Sequence, residues 1–249
     1  MITELRAALS KLANAHDAPA MQRYMKSVMP FYGVKATALR AVCKQVFARH
    51  DLTSQGAWQA TILALYRGAR RREERYAAIE LARARRYGAY VTLDALPMLE
   101  ELIVSGAWWD LVDGVATHLI GRLLRDHPVY MKPLMLHWAK DANVWKRRTA
   151  ILCQIGLKQE TDLQLLFACI EPSLGRSEFF LQKAIGWALR QYAWTDAEVI
   201  EGYVVAHGAR LSALSRREAL KNVGRAGAGK RRGARQRSAD GRTLRGARK

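Results

Sequence analysis

Acidic residues are scarce in this chain of 249 residues: 22 Asp and Glu stand against 41 Lys and Arg, a formal net charge of +19. Such an imbalance bears on partners rather than on fold, and the natural partner is a polyanion, nucleic acid first. Cysteine is rarer still. Cys43, Cys153 and Cys169 lie far apart, form no CxxC pair and are odd in number, which excludes a disulfide framework and predicts buried, reduced thiols. No window approaches the ~18 consecutive apolar residues of a membrane span. Met1 to Ala15 carries Glu4, Arg6 and Lys11 and lacks the apolar stretch of a secretory signal, so a soluble, cytoplasmic protein is expected. The six histidines are scattered, with no HExxH, and there is no Walker A sequence, GxGxxG or GxSxG. The glycines between 224 and 229 follow no strand. Metal and nucleotide chemistry are not indicated, and no cofactor is expected.

What is present is helical periodicity. Trp58, Ile62, Leu65 and Tyr66 recur at spacings of three and four, as do Trp109, Val112, Val115, Leu119 and Leu123. Tyr90–Leu93 is the one brief candidate for a strand. Pro19, Pro30, Pro97, Pro128, Pro133 and Pro172 suit turns or first helical turns. The chain also repeats itself. RYAAIELA from Arg75, RRTAILCQ from Arg147, QKAIGWAL from Gln182 and RREALKNV from Arg216 share a small–aliphatic anchor beginning at Ala78, Ala150, Ala184 and Ala219. The intervals are 72, 34 and 35 residues, and the skipped member falls at Gly114–Val115, with an earlier one at Ala38–Leu39. A period near 35–40 residues built from two helices predicts an all-α, HEAT-like repeat solenoid. About six antiparallel pairs are expected over residues 1–221, with second helices near 35–50, 71–87, 108–125, 145–158, 178–193 and 213–223 lining a concave face, and an extra helix near 1–15. Residues 222–249 hold ten basic residues and one acidic, Gly, Ala and Arg with almost nothing large and apolar, and predict a disordered basic tail. The remaining charge of +10 belongs to the body, so the body is basic in its own right.

Counting from the anchors exposes a stripe. Trp109 sits five before and Asp113 one before in the third repeat; Lys183, Trp187 and Arg190 sit one before, three after and six after in the fifth. These offsets describe one helix face, with Arg148 beside it. Taken singly, each residue has a plainer explanation. Trp58, Trp108, Trp138, Trp145 and Trp194 read as core, Asp110 and Asp113 as partners of a helix N-terminus, and the cations as a solvated surface. Two indoles, a carboxylate and several cations on the lining helices of a basic protein favour a site. The set suits cleavage of an N-glycosidic bond to a base that is already cationic. Such a base leaves without a general acid, a carboxylate steadies the sugar's oxocarbenium character and positions water, and indole faces attract the cation. Arginine and lysine alongside hold phosphates.

On MQRYMK (21–26), ELIVSGAWWDLVD (101–113), NVWKRRTAIL (143–152), SEFFLQKAIGWALRQY (177–192) and LSRREALK (214–221), the chain resembles the AlkD-type DNA alkylation-repair glycosylases, built from HEAT-like repeats. The resemblance covers roughly residues 20–221. It implies a monofunctional glycosylase that releases N3- and N7-alkylated purines from duplex DNA, leaves an abasic site, uses no metal and does not insert the damaged base into a pocket. It makes Asp113 the catalytic acid and Trp109 and Trp187 the indoles against the damaged nucleotide's deoxyribose. Tyr24 and Arg148 become backbone contacts, with Arg190, Lys183 and Lys158 as further DNA-binding cations. Gly156 stands where relatives can carry a lysine, and Lys35 where a polar uncharged residue can be found. Because the cleft must admit a duplex, a monomer is expected. A non-catalytic binder of branched or distorted duplexes and a protein-interaction scaffold are the competing readings.

Overall fold

The computed structural model describes residues 1–223, so the expectation for the basic tail lies almost wholly outside the described residues. These residues are all-helical, without a strand among them. Two compact units build the chain, Met1–Met131 and a second beginning at Lys132.

The first unit opens with α1 (Ile2–Lys11), which turns Leu5 and Leu9 inward, and α2 (Asp17–Met25), which buries no residue fully. Then α3 (Ala36–Ala48) buries Leu39, Val42, Cys43, Val46 and Phe47, the spacing of one helix face, between α1 and α5 (Arg72–Ala82). Ser54 starts α4 (Gln55–Arg67) by accepting from the Ala57 amide, a cap that contributes about 1 kcal/mol. That helix buries Trp58, Ile62, Leu65 and Tyr66, the four that the periodicity picks out. Next, α6 (Leu96–Gly106) begins with Pro97, where proline is tolerated, and closes on a left-handed Ala107. Glycine is required at 106: a β-carbon there would lie 2.5 Å from the Tyr66 hydroxyl.

Three expectations fail in this unit. Tyr90–Leu93 forms no strand; it joins two 3-10 turns, Arg85–Tyr90 and Leu93–Ala95. The second helix expected to 87 stops at Ala82 for the same reason. Tyr87 and Tyr90 donate to the carbonyls of His50 (3.0 Å) and Leu52 (3.1 Å), drawing the chain onto the turn after α3. The helix expected over 108–125 forms in three parts: α7 (Trp109–Gly114), a π-helical turn (Val115–Ile120) and α8 (Gly121–Asp126). A π turn fits an extra residue into the spiral, which apolar spacing does not reveal.

The division between units falls within α9 (Pro128–Trp138). Pro133 lies inside that helix, not in its first turn, and forfeits one backbone hydrogen bond there. The second unit continues with α10 (Val144–Leu152), α11 (Leu163–Ile170), α12 (Phe179–Tyr192), α13 (Ala197–Ala206) and α14 (Ala213–Ala219). Side chains of Asn143, Asp162, Asp196 and Ser212 cap α10, α11, α13 and α14. Packing of α12 on both α10 and α14 makes it the centre of this unit. All three cysteines are buried and unpaired, and burial pushes the Cys43 and Cys169 thiols up to about 12. Trp58, Trp138 and Trp145 are core, as expected; Trp108 is half-buried and Trp194, in the turn after α12, is exposed.

Candidate functional site

In the first unit the site grows from the two carboxylates of WWDLVD, and the fold gives them different work. Asp110, in the first turn of α7, accepts a two-pronged bond from the Arg72 guanidinium (3.0 and 2.6 Å) and another from the Tyr76 hydroxyl. Both members of the ion pair are buried. Burial above all, and then the Asp110 charge, raises the Tyr76 phenol pKa far above its ordinary value. A buried bidentate pair fixes orientation strictly, so α7 is pinned to α5 at its first turn.

Asp113, one turn further along, is half-buried and shares a helix face with Trp109 four residues before it. The π turn begins two residues later, and the Thr117 hydroxyl donates to the Asp113 carbonyl at 2.8 Å. Tyr24, largely exposed, meets the Trp109 ring edge-on at 6.4 Å between centroids. Behind Trp109 lies a cavity of 390 Å³ walled by Met21 and Met25 of α2, Leu39 of α3 and Ile79 of α5.

Two adjacent buried glutamates hold α2 where Tyr24 can reach Trp109. Glu73 accepts from the amides of Tyr32, Gly33 and Val34 (3.0, 2.8 and 3.1 Å), and Glu74 from Arg6, the Tyr32 hydroxyl and the Arg70 amide. Gly33 is left-handed (φ 86°), and a β-carbon there would fall 2.2 Å from the Asn14 carbonyl. The loop after α2 is thereby tied to the N-terminus of α5. Lys35, at the end of this loop, pairs with Asp17 at 3.2 Å.

In the second unit Lys183, Trp187 and Arg190 follow one another at spacings of four and three along α12, each half-buried. Their anchor is one that the stripe leaves out, Glu218 of α14. Its buried carboxylate accepts from Lys183 (3.4 Å), Arg190 and Lys221 (2.6 Å). The Lys221 ammonium foremost holds the Glu218 carboxyl below the usual carboxylate value, against the opposing effect of burial. The sequence did carry a signal for Glu218: it stands one residue before its anchor, the register of Asp113 and Lys183. No comparable signal marked Arg72 and Tyr76, whose partner lies 38 and 34 residues away.

The remaining cations are dispersed. Arg148 is buried and donates to the Phe180 carbonyl at 2.5 Å, steadying the start of α12. Its neighbour Arg147, also buried, donates to the Pro172 carbonyl and the Ser173 hydroxyl, both at 3.0 Å. Lys158 is exposed in a left-handed conformation (φ 53°), on the rim of a 350 Å³ cavity that Gly156, Tyr192 and Trp194 also line. Among the described residues no group of three or more His, Cys, Asp or Glu is placed to hold a metal ion, and no helix is long and apolar enough to cross a membrane.

A family model described as "DNA alkylation repair enzyme" matches residues 5–223. Among solved structures, a predicted DNA alkylation repair enzyme from Enterococcus faecalis shares 31% identity, with a TM-score of 0.75 over 84% of this chain and 95% of that one. No curated protein sequence matches. The chain belongs to the DNA alkylation repair enzyme family.

Proposed function

We propose that the protein is a monofunctional DNA glycosylase that hydrolyses the N-glycosidic bond of N3- and N7-alkylated purines in duplex DNA. One observation carries the reading: Asp113 is half-buried on the helix face that carries Trp109, with Tyr24 against that indole. Family membership supplies the context of alkylated DNA.

In the proposed step a water oxygen bonds to C1′ of the deoxyribose as the bond from C1′ to the purine nitrogen breaks. The bonding electrons leave with the base and neutralise its positive charge, so no acid is needed to protonate the leaving group. Asp113 stabilises the positive character developing at the sugar and receives the proton that the water gives up. Trp109 supplies an indole face for the cationic nucleotide, contributing about 0.5–2 kcal/mol, and Trp187 offers an indole to the duplex beside Lys183 and Arg190 of its own helix. The lesion need not enter a pocket, because a charged purine requires no chemistry at its own ring. Tyr24, Lys158, Lys183 and Arg190 serve the backbone of the duplex, and Arg148 serves it indirectly by orienting α12. The protein acts as a monomer with no cofactor.

The test is direct. Incubation with methylated duplex DNA should release free 3-methyladenine or 7-methylguanine, identified by chromatography, and leave abasic sites cleaved by alkali. Tight duplex binding with no base released would replace this reading with that of a non-catalytic binder.

A further inference from the structure

Glu218 is a buried carboxylate that the proposed reaction does not use. It sits where α14 comes so close to α12 that a β-carbon on Gly186 would stand 2.5 Å from the Glu218 Cβ and 3.1 Å from the Ser215 carbonyl. The Ser215 hydroxyl adds a bond to the Gln182 carbonyl at 2.9 Å, fixing the contact at the residue just before Lys183. The approach delivers one anion to the face that carries Trp187. A carboxylate 6% exposed is tolerable only when paired, and this one is paired with three cations. Lys183, Arg190 and Lys221 keep 40, 26 and 49% of their side chains in solvent. Their charged groups are thus held by Glu218 while the side chains remain partly in solvent, and three cations on one carboxylate leave a local net charge of +2 to attract a competing anion.

We propose that Glu218 is a positioning residue that sets discrimination: it fixes Lys183 and Arg190 on either side of Trp187 and withholds part of their charge from undamaged DNA. The inference rests on duplex DNA being the partner. Phosphate attraction is indifferent to sequence and to damage, so a freed cation strengthens binding to ordinary duplex without any lesion being present. With Glu218 in place, a phosphate must displace a carboxylate before it gains either cation fully. A complex held by few backbone charges exchanges this contact away, whereas one also held at the damaged nucleotide sustains it.

The experiment uses the full chain carrying Glu218→Gln, with its melting temperature and helicity recorded first. Undamaged and methylated duplexes are titrated at several salt concentrations. Undamaged duplex should bind about three- to tenfold tighter than to wild type near 0.1 M salt, and the slope of log K against log salt should steepen by about one. The ratio of methylated to undamaged affinity should fall. A merely structural Glu218 would lower the melting temperature and leave the salt slope alone, and a folded variant with wild-type or weaker binding to undamaged duplex overturns the proposal. Should the variant fail to fold, Glu218→Asp, which withdraws the charge by one methylene, should move both readouts the same way; no movement overturns the proposal equally. Wild-type protein that ignores salt would sink the DNA reading itself, whereas salt-dependent wild type with an unmoved variant sinks only this inference.

Discussion

Asp113 in the first unit and Glu218 in the second stand at the same place in their repeats, one residue before Gly114 and Ala219. Their surroundings differ. Glu218 is enclosed by the close approach of α12 and α14 and meets three cations. Asp113 keeps partial exposure on a helix face shared with an indole, while Asp110, three residues before it, is buried in an ion pair with Arg72 of α5. A repeat register thus supplies the carboxylate, and the neighbouring helix decides whether it serves to organise charge or to meet a substrate.

Breaking the first half of this contrast should have the largest effect. Arg72→Met strands the buried Asp110 charge and frees the first turn of α7, a loss expected to be about 3–5 kcal/mol of stability by chemical denaturation. Preserved stability would mean that Asp110 does not depend on Arg72. Tightening the second half comes next. Gly186→Ala forces α14 away from α12 at Glu218 and should cost about 1–3 kcal/mol, read as a lower denaturation midpoint at unchanged denaturant slope. An unchanged midpoint would show that the contact yields freely.

A smaller effect follows from the depressed Glu218 pKa. A carboxyl held low in the folded state contributes stability above its unfolded value, near 4.5, and loses that contribution as pH falls through the folded value. Wild type should therefore lose stability relative to Glu218→Gln as pH drops below about 4.5. Parallel acid limbs would show that the three cations do not bias the group. Last, Asp162→Ala removes the cap of α11 and should lower stability by about 0.5–2 kcal/mol, less than Arg72→Met.

Much of this organisation was legible in the residues. The anchors located most of the second helices, since α3, α5, α12 and α14 fall within the expected windows and α10 starts one residue ahead of its own, and the core face of α4 was named residue by residue. Features that depend on what touches what were hidden. The π turn after Asp113 leaves apolar spacing nearly intact, and the end of α5 is decided by tyrosines reaching back to the turn after α3. In the candidate site the sequence brought Trp109 onto the Asp113 face, but it could not say that Asp110 would be buried in an ion pair with Arg72. It also placed Arg148 with the surface cations, where the fold buries it against the start of α12. Side chains of one type separate into structural and functional members only when their partners arrive from other helices.

The account turns on Asp113, and single-turnover release of 7-methylguanine from a methylated duplex by wild type and by Asp113→Asn tests it most directly. Release should fall by about 100-fold or more in the variant, the scale set by losing electrostatic stabilisation of a transition state, with duplex affinity near that of wild type. Equal rates in the two proteins would remove Asp113 from the reaction.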